Sequence, residues 1–131
     1  MHRITVLAVC VLALAGCTPP PLPCGRLGGS AMLEYQLFFG RTSVTDQQWA
    51  DFTANVVTPN LPNGFTALDT EGQWLNPATH RIIRERSNVI IVIMPDTAAS
   101  KASVEAVKDD YLKRFHQQSV GNIILPVCGA F

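Results

Sequence analysis

Hydrophobic and polar positions along this chain form blocks, and the block from Arg81 to Met94 dominates the pattern. Its second half is an uninterrupted, mostly β-branched run, which predicts a central strand buried on both faces. Its first half alternates charge with isoleucine, so the same strand should leave the core and present charged groups at one end of a sheet. Three other blocks predict strands, at residues 34–39, 65–68 and 119–127.

A first helix is predicted to begin near Asp46, because Thr45 and Gln48 have the spacing of a capping box. Pro59 should end this helix, with Thr58 already extended, since the residue before a proline disfavours the helical region. Three apolar residues recur at helical spacing and are assigned to the core: Trp49, Phe52 and Val56.

A second helix is predicted after Pro95, with Asp96 or Thr97 as its N-cap. Its core stripe consists of Val104, Val107, Tyr111 and Phe115. Its other face carries opposite charges four residues apart, which indicates a solvated surface. The pairs are Lys101 with Glu105, Asp109 with Lys113 and Asp110 with Arg114.

Between the helices, the segment Pro62–Gly64 predicts a turn before the second strand, which starts at Phe65. Residues 69–72 are expected to form a bulge or tight turn within that strand. Residues 75–79 leave no room for a helix, so the second strand and the central strand should be antiparallel neighbours.

The resulting order of elements is β-α-β-β-α-β, which predicts an α+β fold of the ferredoxin-like type. We therefore expect a four-stranded antiparallel sheet with two helices on one face. In that topology the first and last strands are antiparallel neighbours, so the start of one lies near the end of the other. Cys24 and Cys128 would meet there.

The N-terminus has a short positive start, an apolar run of signal-peptide length and then Leu14-Ala15-Gly16-Cys17, which resembles the lipobox of bacterial lipoproteins. This predicts a signal peptide over residues 1–16, a lipidated Cys17 within a Pro/Gly-rich tether over residues 17–32, and one α+β domain over residues 33–131. Thr18 is not the aspartate that favours inner-membrane retention in that family. We therefore expect a periplasm-facing lipoprotein of the bacterial envelope, anchored in the outer membrane. Secretion with ordinary cleavage is the alternative.

Charge and cysteine content limit the partners, cross-links and cofactors that we expect for this protein. The 131 residues hold ten acidic and ten basic side chains with no basic block, which argues against a nucleic-acid partner. Of the four cysteines, Cys10 leaves with the signal peptide and Cys17 carries lipid. Cys24 and Cys128 then form a disulfide in an oxidising compartment, two buried free thiols being the alternative. No ligand spacing indicates a metal, and no cofactor is expected.

Several segments carry a resemblance to a bacterial envelope family catalogued as domain of unknown function 3574, over about residues 33–131. They are Leu37-Phe38-Phe39-Gly40-Arg41, Trp49 with Phe52, Val57-Thr58-Pro59, Gly64 to Asp69, Gly72-Gln73-Trp74, Arg84-Glu85-Arg86-Ser87, 115–120 and the C-terminal cysteine. None of these segments is a catalytic signature. The resemblance supports the domain assignment and implies no particular activity.

Enzyme motifs are missing from the sequence, which has no nucleophile elbow and no phosphate-binding glycine loop. The mature chain would hold two histidines, His80 in a loop and His116 at a helix end, where a cationic side chain suits the helix dipole. We therefore favour a non-enzymatic protein.

Alternation along the strands assigns residues to the two faces of the sheet. The helices should cover one face, with Tyr35, Leu37, Phe39, Val89, Ile91, Ile93, Ile123, Leu125 and Val127. The open face would then carry Glu34, Gln36, Phe38, Arg84, Arg86, Asn88, Ile90, Val92, Asn122 and Ile124.

Two functions compete on this assignment. In the first, the open face binds a partner or a second copy of the chain, with Phe38, Ile90, Val92 and Ile124 as the self-association patch and Glu34 or Glu85 pairing with the arginines. In the second, the face binds a small anionic molecule, as in dimeric ferredoxin-like barrel enzymes. Arg84 and Arg86 would then be bidentate donors, and Gln36, Asn88 and Asn122 would fix the ligand's orientation.

Overall fold

The computed structural model describes residues 23–131, so the predicted signal peptide and the predicted lipidation site Cys17 lie outside the described residues. A 3-10 turn at Cys24–Leu27 precedes strand β1 (Ser30–Gly40). Helix α1 (Asp46–Phe52) continues through a π turn (Thr53–Val57) into the short helix α2 (Thr58–Asn60). The remaining elements are β2 (Thr66–Leu75), β3 (Ile82–Pro95), α3 (Ala98–Phe115) and β4 (Gly121–Gly129).

The four strands form one antiparallel sheet in the order β2-β3-β1-β4, which confirms the predicted α+β class. Strand β3 is central, as its apolar run predicted, and Ile90 and Val92 within it are buried. Strand β1 starts at Ser30 and is therefore longer than the segment 34–39 that the sequence predicted. As predicted, the short link after Leu75 makes β2 and β3 antiparallel neighbours.

Strand β2 is continuous, so the bulge or turn expected at residues 69–72 was wrong. Every residue of β2 from Thr66 to Leu75 faces a successive residue of β3. Its polar stretch lies beside the charged half of β3, where Glu71 faces Arg86. Cross-strand polar pairs favour this register, with hydrogen bonds from Asn88 to Asp69, between Thr70 and Ser87, and from Arg84 to Gln73.

The start of α1 confirms the capping box, because Gln48 N–H donates to Thr45 Oγ1 and Thr45 N–H donates to Gln48 Oε1. The predicted end was wrong. Thr58 has helical angles (φ −57°, ψ −46°) and the helical path runs on to Asn60. Pro59 is tolerated because it falls in the first turn after the π turn, where a missing N–H costs little.

The core lies between the helices and one face of the sheet, and aromatic side chains fill its centre. Phe39 packs against the rings of Trp49, Phe52 and Tyr111, with centroid distances of 5.4, 5.9 and 4.8 Å. The stripes predicted for both helices are confirmed: Trp49, Phe52, Val56, Val104, Val107 and Tyr111 are buried, and Phe115 packs against them. The helices therefore cover the middle of β1 and β3, whereas the helix-side residues of β2 and most of those of β4 remain exposed.

Thr97, one of the two predicted caps, is the N-cap of α3, and its hydroxyl accepts the N–H of Ser100 at 3.1 Å. The predicted pair of Asp110 and Arg114 forms at 2.9 Å. The partners of two other charged residues differ from prediction, because Lys101 pairs with Asp96 at 2.7 Å and Glu105 pairs with Lys108 at 2.9 Å.

The strand register corrects the predicted assignment of faces. Tyr35 lies opposite Val92 and Ile124, and Leu37 lies opposite Ile90 and Asn122, so odd positions of β1 share a face with even positions of β3 and β4. The prediction was right for β1 and wrong for β3 and β4. Alternation within one strand does not fix the offset to its neighbour.

Cys24 and Cys128 form a disulfide across 104 residues of sequence, which confirms the predicted pair. Cys24 lies in the 3-10 turn before β1, and Cys128 lies opposite Ala31 near the end of β4. Within residues 23–131 no helix has the length and hydropathy to cross a bilayer. That same part of the chain contains no group of His, Cys, Asp and Glu arranged to hold a metal ion.

Candidate functional site

The sheet face turned away from the helices, called the open face below, carries an unusual selection of side chains. It is formed by even positions of β1 and β2 and odd positions of β3 and β4. Glu34 and Glu85 are its only charged residues within these strands, and neither lysine nor arginine is present on it. The face is therefore apolar with a negative bias.

One end of the open face forms an apolar patch, which consists of Ile91, Ile93, Ile123, Leu125 and Val127. Ile123 and Leu125 are 44% and 42% exposed, values high for large apolar side chains. Glu34 and Gln36 stand among them, and Gln36 Nε2 donates to Glu34 Oε1 at 2.7 Å. A groove of about 370 Å³ adjoins the patch, lined among others by Met32, Phe65, Ile93 and Phe131.

The other end of the open face forms a depression of about 590 Å³, which we call the glycine cleft. Gly40, Gly72 and Gly121, from three different strands, line it. Phe38 and Trp74 are its exposed aromatic residues, at 39% and 47%. The loop after α3, residues 116–119, completes the rim. Because these glycines have no side chains, Glu85 packs over Gly40 and Gly72, and Phe38 packs over Gly121.

Glu85 lies inside the glycine cleft, and its carboxylate is the cleft's one acidic group. The hydroxyl of Thr42 donates to Glu85 Oε2. The carboxylate also leans over Gly40, where a Cβ atom would lie 3.3 Å from Glu85 Oε1. Beside it, the hydroxyls of Ser87 and Thr70 share a hydrogen bond of 2.7 Å.

Tyr111 connects the glycine cleft to the helical layer. Its hydroxyl donates to the carbonyl oxygen of Gly40 at 2.7 Å, although its ring lies in the core between Phe39 and Phe52. Burial raises the pKa of Tyr111 to about 12, so the group is a hydrogen-bond donor throughout the neutral range. It holds the end of β1 in place from the opposite side of the sheet.

The five residues proposed from sequence for an anion site do not share a surface. Gln36 lies on the open face, whereas Arg84, Arg86, Asn88 and Asn122 lie on the helix side of the sheet. Arg84 Nε donates to Gln73 Oε1 at 2.8 Å. Asn122 is exposed on the edge strand. The expected pairing of the arginines with Glu34 or Glu85 does not occur within the described residues.

Arg86 and Asn88 belong to a polar network whose centre, Arg41, the sequence analysis missed. Arg41 is 5% exposed and donates to Asn88 Oδ1 at 2.8 Å and to Asp46 Oδ1 at 2.5 Å. Arg86 donates to the same Asp46 oxygen at 2.7 Å. These two guanidinium groups, Arg86 foremost, hold the pKa of Asp46 below its usual range.

The network ties β1, β2, β3 and α1 together at one end of the molecule. Asn88 Nδ2 donates to the Leu68 carbonyl and to Asp69 Oδ1, and the Arg41 guanidinium lies 5.7 Å from the Trp49 ring centroid. Each charged group of the network has a hydrogen-bond partner, although Arg41 Nε is buried without one among the described residues, and these contacts give the network a structural role. The one sequence signal for this network is the position of Arg41 between the end of a predicted strand and a predicted helix cap.

Two residues of the predicted self-association patch are also misplaced. Ile90 and Val92 are buried beneath the helices. Phe38 is exposed on the open face as predicted, and Ile124 is 49% exposed, although it lies on the helix side. The apolar patch defined above replaces the predicted set.

Solved structures with a similar fold include a phage SAM lyase in complex with S-methyl-5'-thioadenosine. It is 17% identical, with a TM-score of 0.59 over 78% of this chain and 88% of the lyase. CutA from Synechococcus elongatus, complexed with Bis-Tris, is 11% identical, with a TM-score of 0.50 over 76% of this chain and 83% of CutA. At this level of identity the similarity shows the fold alone.

A Bacillus cereus protein related to NIF3 is 11% identical, with a TM-score of 0.51 over 76% of this chain and 26% of that protein. No curated protein matches the chain. A family profile described as protein of unknown function (DUF3574) matches residues 34–131. This range begins within β1 and contains every later strand and helix. The chain therefore belongs to the DUF3574 family.

Proposed function

We propose that this protein is a lipid-anchored envelope protein whose domain acts as a non-enzymatic binding module through the open face. The lipobox-like segment ending at Cys17 supports the anchor. The exposed apolar patch supports binding, because soluble monomers rarely leave large contiguous apolar surfaces uncovered. The domain is of the ferredoxin-like type in this proposal, which the element order and the strand order, β4-β1-β3-β2 from the other edge, support.

The negative charge of Glu34 on the open face determines which kind of partner surface can bind there favourably. Glu34 stands among Ile93, Ile123 and Leu125 and accepts a hydrogen bond from Gln36, and it forms no ion pair among the described residues. A purely apolar partner surface would bury this carboxylate away from water without a counter-charge, which costs binding free energy. A partner segment with apolar side chains and a lysine or arginine avoids that cost.

A second copy of the open face fits this patch poorly. It would bring another Glu34 and no cation, so two carboxylates would share one interface. The partner is therefore a different polypeptide with a basic and apolar surface. The unpaired position of Glu34 in the apolar patch is the observation that carries this proposal.

The experiment uses residues 24–131, which contain the disulfide and the whole core cluster. Short peptides in which leucine alternates with lysine, serine or glutamate are titrated against this domain by calorimetry. The leucine-lysine peptide should bind, and Glu34→Gln should weaken it by about tenfold, since a hydrogen bond to a charged group contributes roughly 1.5–3 kcal/mol.

Glu71→Gln is the matched control, because Glu71 lies on the helix side of the sheet. It should leave peptide affinity unchanged. Equal binding of the leucine-lysine and leucine-glutamate peptides, or equal effects of the Glu34 and Glu71 substitutions, would contradict the proposal.

Self-association is a second candidate, favoured by the β4 edge. Ile123 and Leu125 are exposed on one face of this edge strand and Ile124 on the other, so residues 123–125 offer an apolar strand segment at the edge of the sheet. Two copies could pair their β4 strands antiparallel about a twofold axis without joining their Glu34 residues. Sedimentation of residues 24–131 at high micromolar concentration tests this, and a monomer there would exclude it.

A small anionic ligand has less support. Arg84 and Arg86 lie on the helix side of the sheet and already donate to Gln73 and Asp46. A thermal-shift screen with phosphorylated and carboxylated compounds, including cell-wall fragments, on the wild type and on the Arg84→Ala, Arg86→Ala double variant would test it. Shifts lost only in the variant would favour such a site.

A further inference from the structure

We propose that the glycine cleft binds a small organic cation, an ammonium, amidinium or guanidinium group on a flat apolar body, with Glu85 as its anionic partner. This site is separate from the apolar patch. Glu34 lies opposite Ile93, and Glu85 is eight residues from Ile93 along β3, roughly 26 Å in an extended strand. A molecule in the cleft therefore does not need to contact the patch.

The shape of the cleft depends on side chains that lean over glycines. A Cβ atom on Gly121 would lie 3.2 Å from Phe38 Cβ, and one on Gly40 would lie 3.3 Å from the Glu85 carboxylate. Phe38 and Glu85 thus occupy space that a larger neighbour would fill. The resulting volume of about 590 Å³ is within the range of about 300–1,000 Å³ typical of small-molecule sites.

The charge in the cleft favours a cation. Glu85 is half-buried, and the one basic residue that lines the cleft is His116, which is exposed at the rim, with no lysine or arginine beside it. One carboxylate oxygen of Glu85 accepts a hydrogen bond from Thr42, and Glu85 forms no ion pair among residues 23–131. A carboxylate that is partly removed from water and has no cationic partner binds a charged donor more strongly than a fully exposed one does.

The exposed aromatic residues of the cleft favour a ligand with a flat apolar body. Trp74 and Phe38 are half-exposed in the same cleft, so a flat apolar body can lie against a ring while its charged end reaches Glu85. A cation near the face of tryptophan gains further electrostatic stabilisation. Ser87 and residues 117–119 supply polar groups at the rim for substituents of the ligand.

Benzamidine is a suitable probe, because it joins a flat ring to a fixed positive charge. Benzamide, which is neutral, and benzoate, which is negative, have nearly the same shape. The two tryptophans give two indole N–H signals by NMR, and Trp49, buried on the helix side, is an internal reference for Trp74. Benzamidine should shift the Trp74 signal saturably, with a Kd below about 1 mM, and the other two compounds should not.

Two variants test the roles of individual residues. Glu85→Gln can still accept the Thr42 hydrogen bond, yet it should weaken benzamidine binding at least about tenfold, whereas Glu71→Gln on the other face should not. Trp74→Ala, on the edge strand β2, should weaken binding without unfolding the domain, with the Phe38 ring signals as the readout.

Glu34→Gln should leave benzamidine binding intact, so failure here is distinguishable from failure of the binding proposed for the apolar patch. Saturable binding that survives Glu85→Gln, equal binding of benzamide, or the absence of any Trp74 shift at about 10 mM benzamidine would each overturn the proposal.

Discussion

Arg41 and Asn88, 47 residues apart in sequence, are joined by a buried hydrogen bond of 2.8 Å from Nη1 to Oδ1. The bond fixes the end of β1 to the middle of β3. Asn88 also donates a hydrogen bond to the Leu68 carbonyl oxygen, which links β3 to β2. Both residues are almost fully buried. Their contact is therefore shielded from water, unlike the ion pairs on the surface.

Arg41→Ala should lower the free energy of unfolding by about 2–3 kcal/mol, because it leaves the buried Asn88 amide oxygen without its donor. Urea unfolding followed by circular dichroism measures this. Arg84→Ala is the control, since Arg84 is exposed and should change stability by less than about 0.5 kcal/mol. Equal effects of the two substitutions would show that the network contributes no more than a surface contact.

Acid should destabilise the domain partly through Asp46. Its pKa is lowered in the folded state by hydrogen bonds from Arg86 and Arg41, so its contribution is present above the ordinary value of 3.8 and is lost as pH falls below it. Asp46→Asn should therefore flatten the dependence of Tm on pH between about 5 and 2. An equally steep dependence in Asp46→Asn and in the wild type would contradict this.

Alkali should destabilise the domain through its two tyrosines. Burial raises the pKa of Tyr111 to about 12 and raises that of Tyr35 above the ordinary value of 10.0. A group with a raised folded-state pKa stabilises the protein below its unfolded pKa and loses that contribution as pH rises, here between about 10 and 12. Tyrosinate absorbance should thus appear together with unfolding. A normal titration near pH 10 in the folded protein would contradict this.

The disulfide should contribute up to about 4–5 kcal/mol to stability in the chain-entropy model, because it closes a loop of 104 residues in the unfolded chain. The double substitution Cys24→Ser, Cys128→Ser should lower the denaturant midpoint accordingly. Peptide mapping without reductant should recover the two cysteines linked in material from an oxidising compartment. Two thiols open to alkylation in that material would contradict the assignment.

Lipidation of Cys17 rests on the lipobox-like segment and the proline-rich stretch after it. Metabolic labelling with a fatty-acid analogue should mark the wild-type protein and should not mark Cys17→Ser. Persistence of the label in the variant would exclude Cys17 as the acylated residue.

Local signals in the sequence were sufficient for most of the elements, whereas the disulfide followed from the cysteine count and the strand topology. The capping residues Thr45 and Gln48 located the start of α1, and the stripe containing Tyr111 located the buried face of α3. These patterns depend on residues close together in the chain. Two local predictions were wrong. The π turn before Thr58 lets a helical path continue through Pro59, and residues 69–72 continue β2 without a bulge.

The candidate site depended on relationships between strands, which alternation within one strand does not supply. The register places Leu37 opposite Ile90, so a shift of one position relative to the prediction moves Arg84, Arg86 and Asn88 to the helix side. Likewise, Gly40, Gly72 and Gly121 are far apart in sequence, and only the sheet brings them into one cleft.

The position of the disulfide has a mechanical consequence. A pulling force on the chain before Cys24 reaches the domain by two routes, through the backbone into β1 and through Cys128 into β4. These adjacent strands receive the tension at the same end, because Ala31 and Cys128 lie opposite each other. The force is shared between two strands instead of peeling β1 away alone. A protein held by its N-terminus would thereby keep its sheet intact under drag.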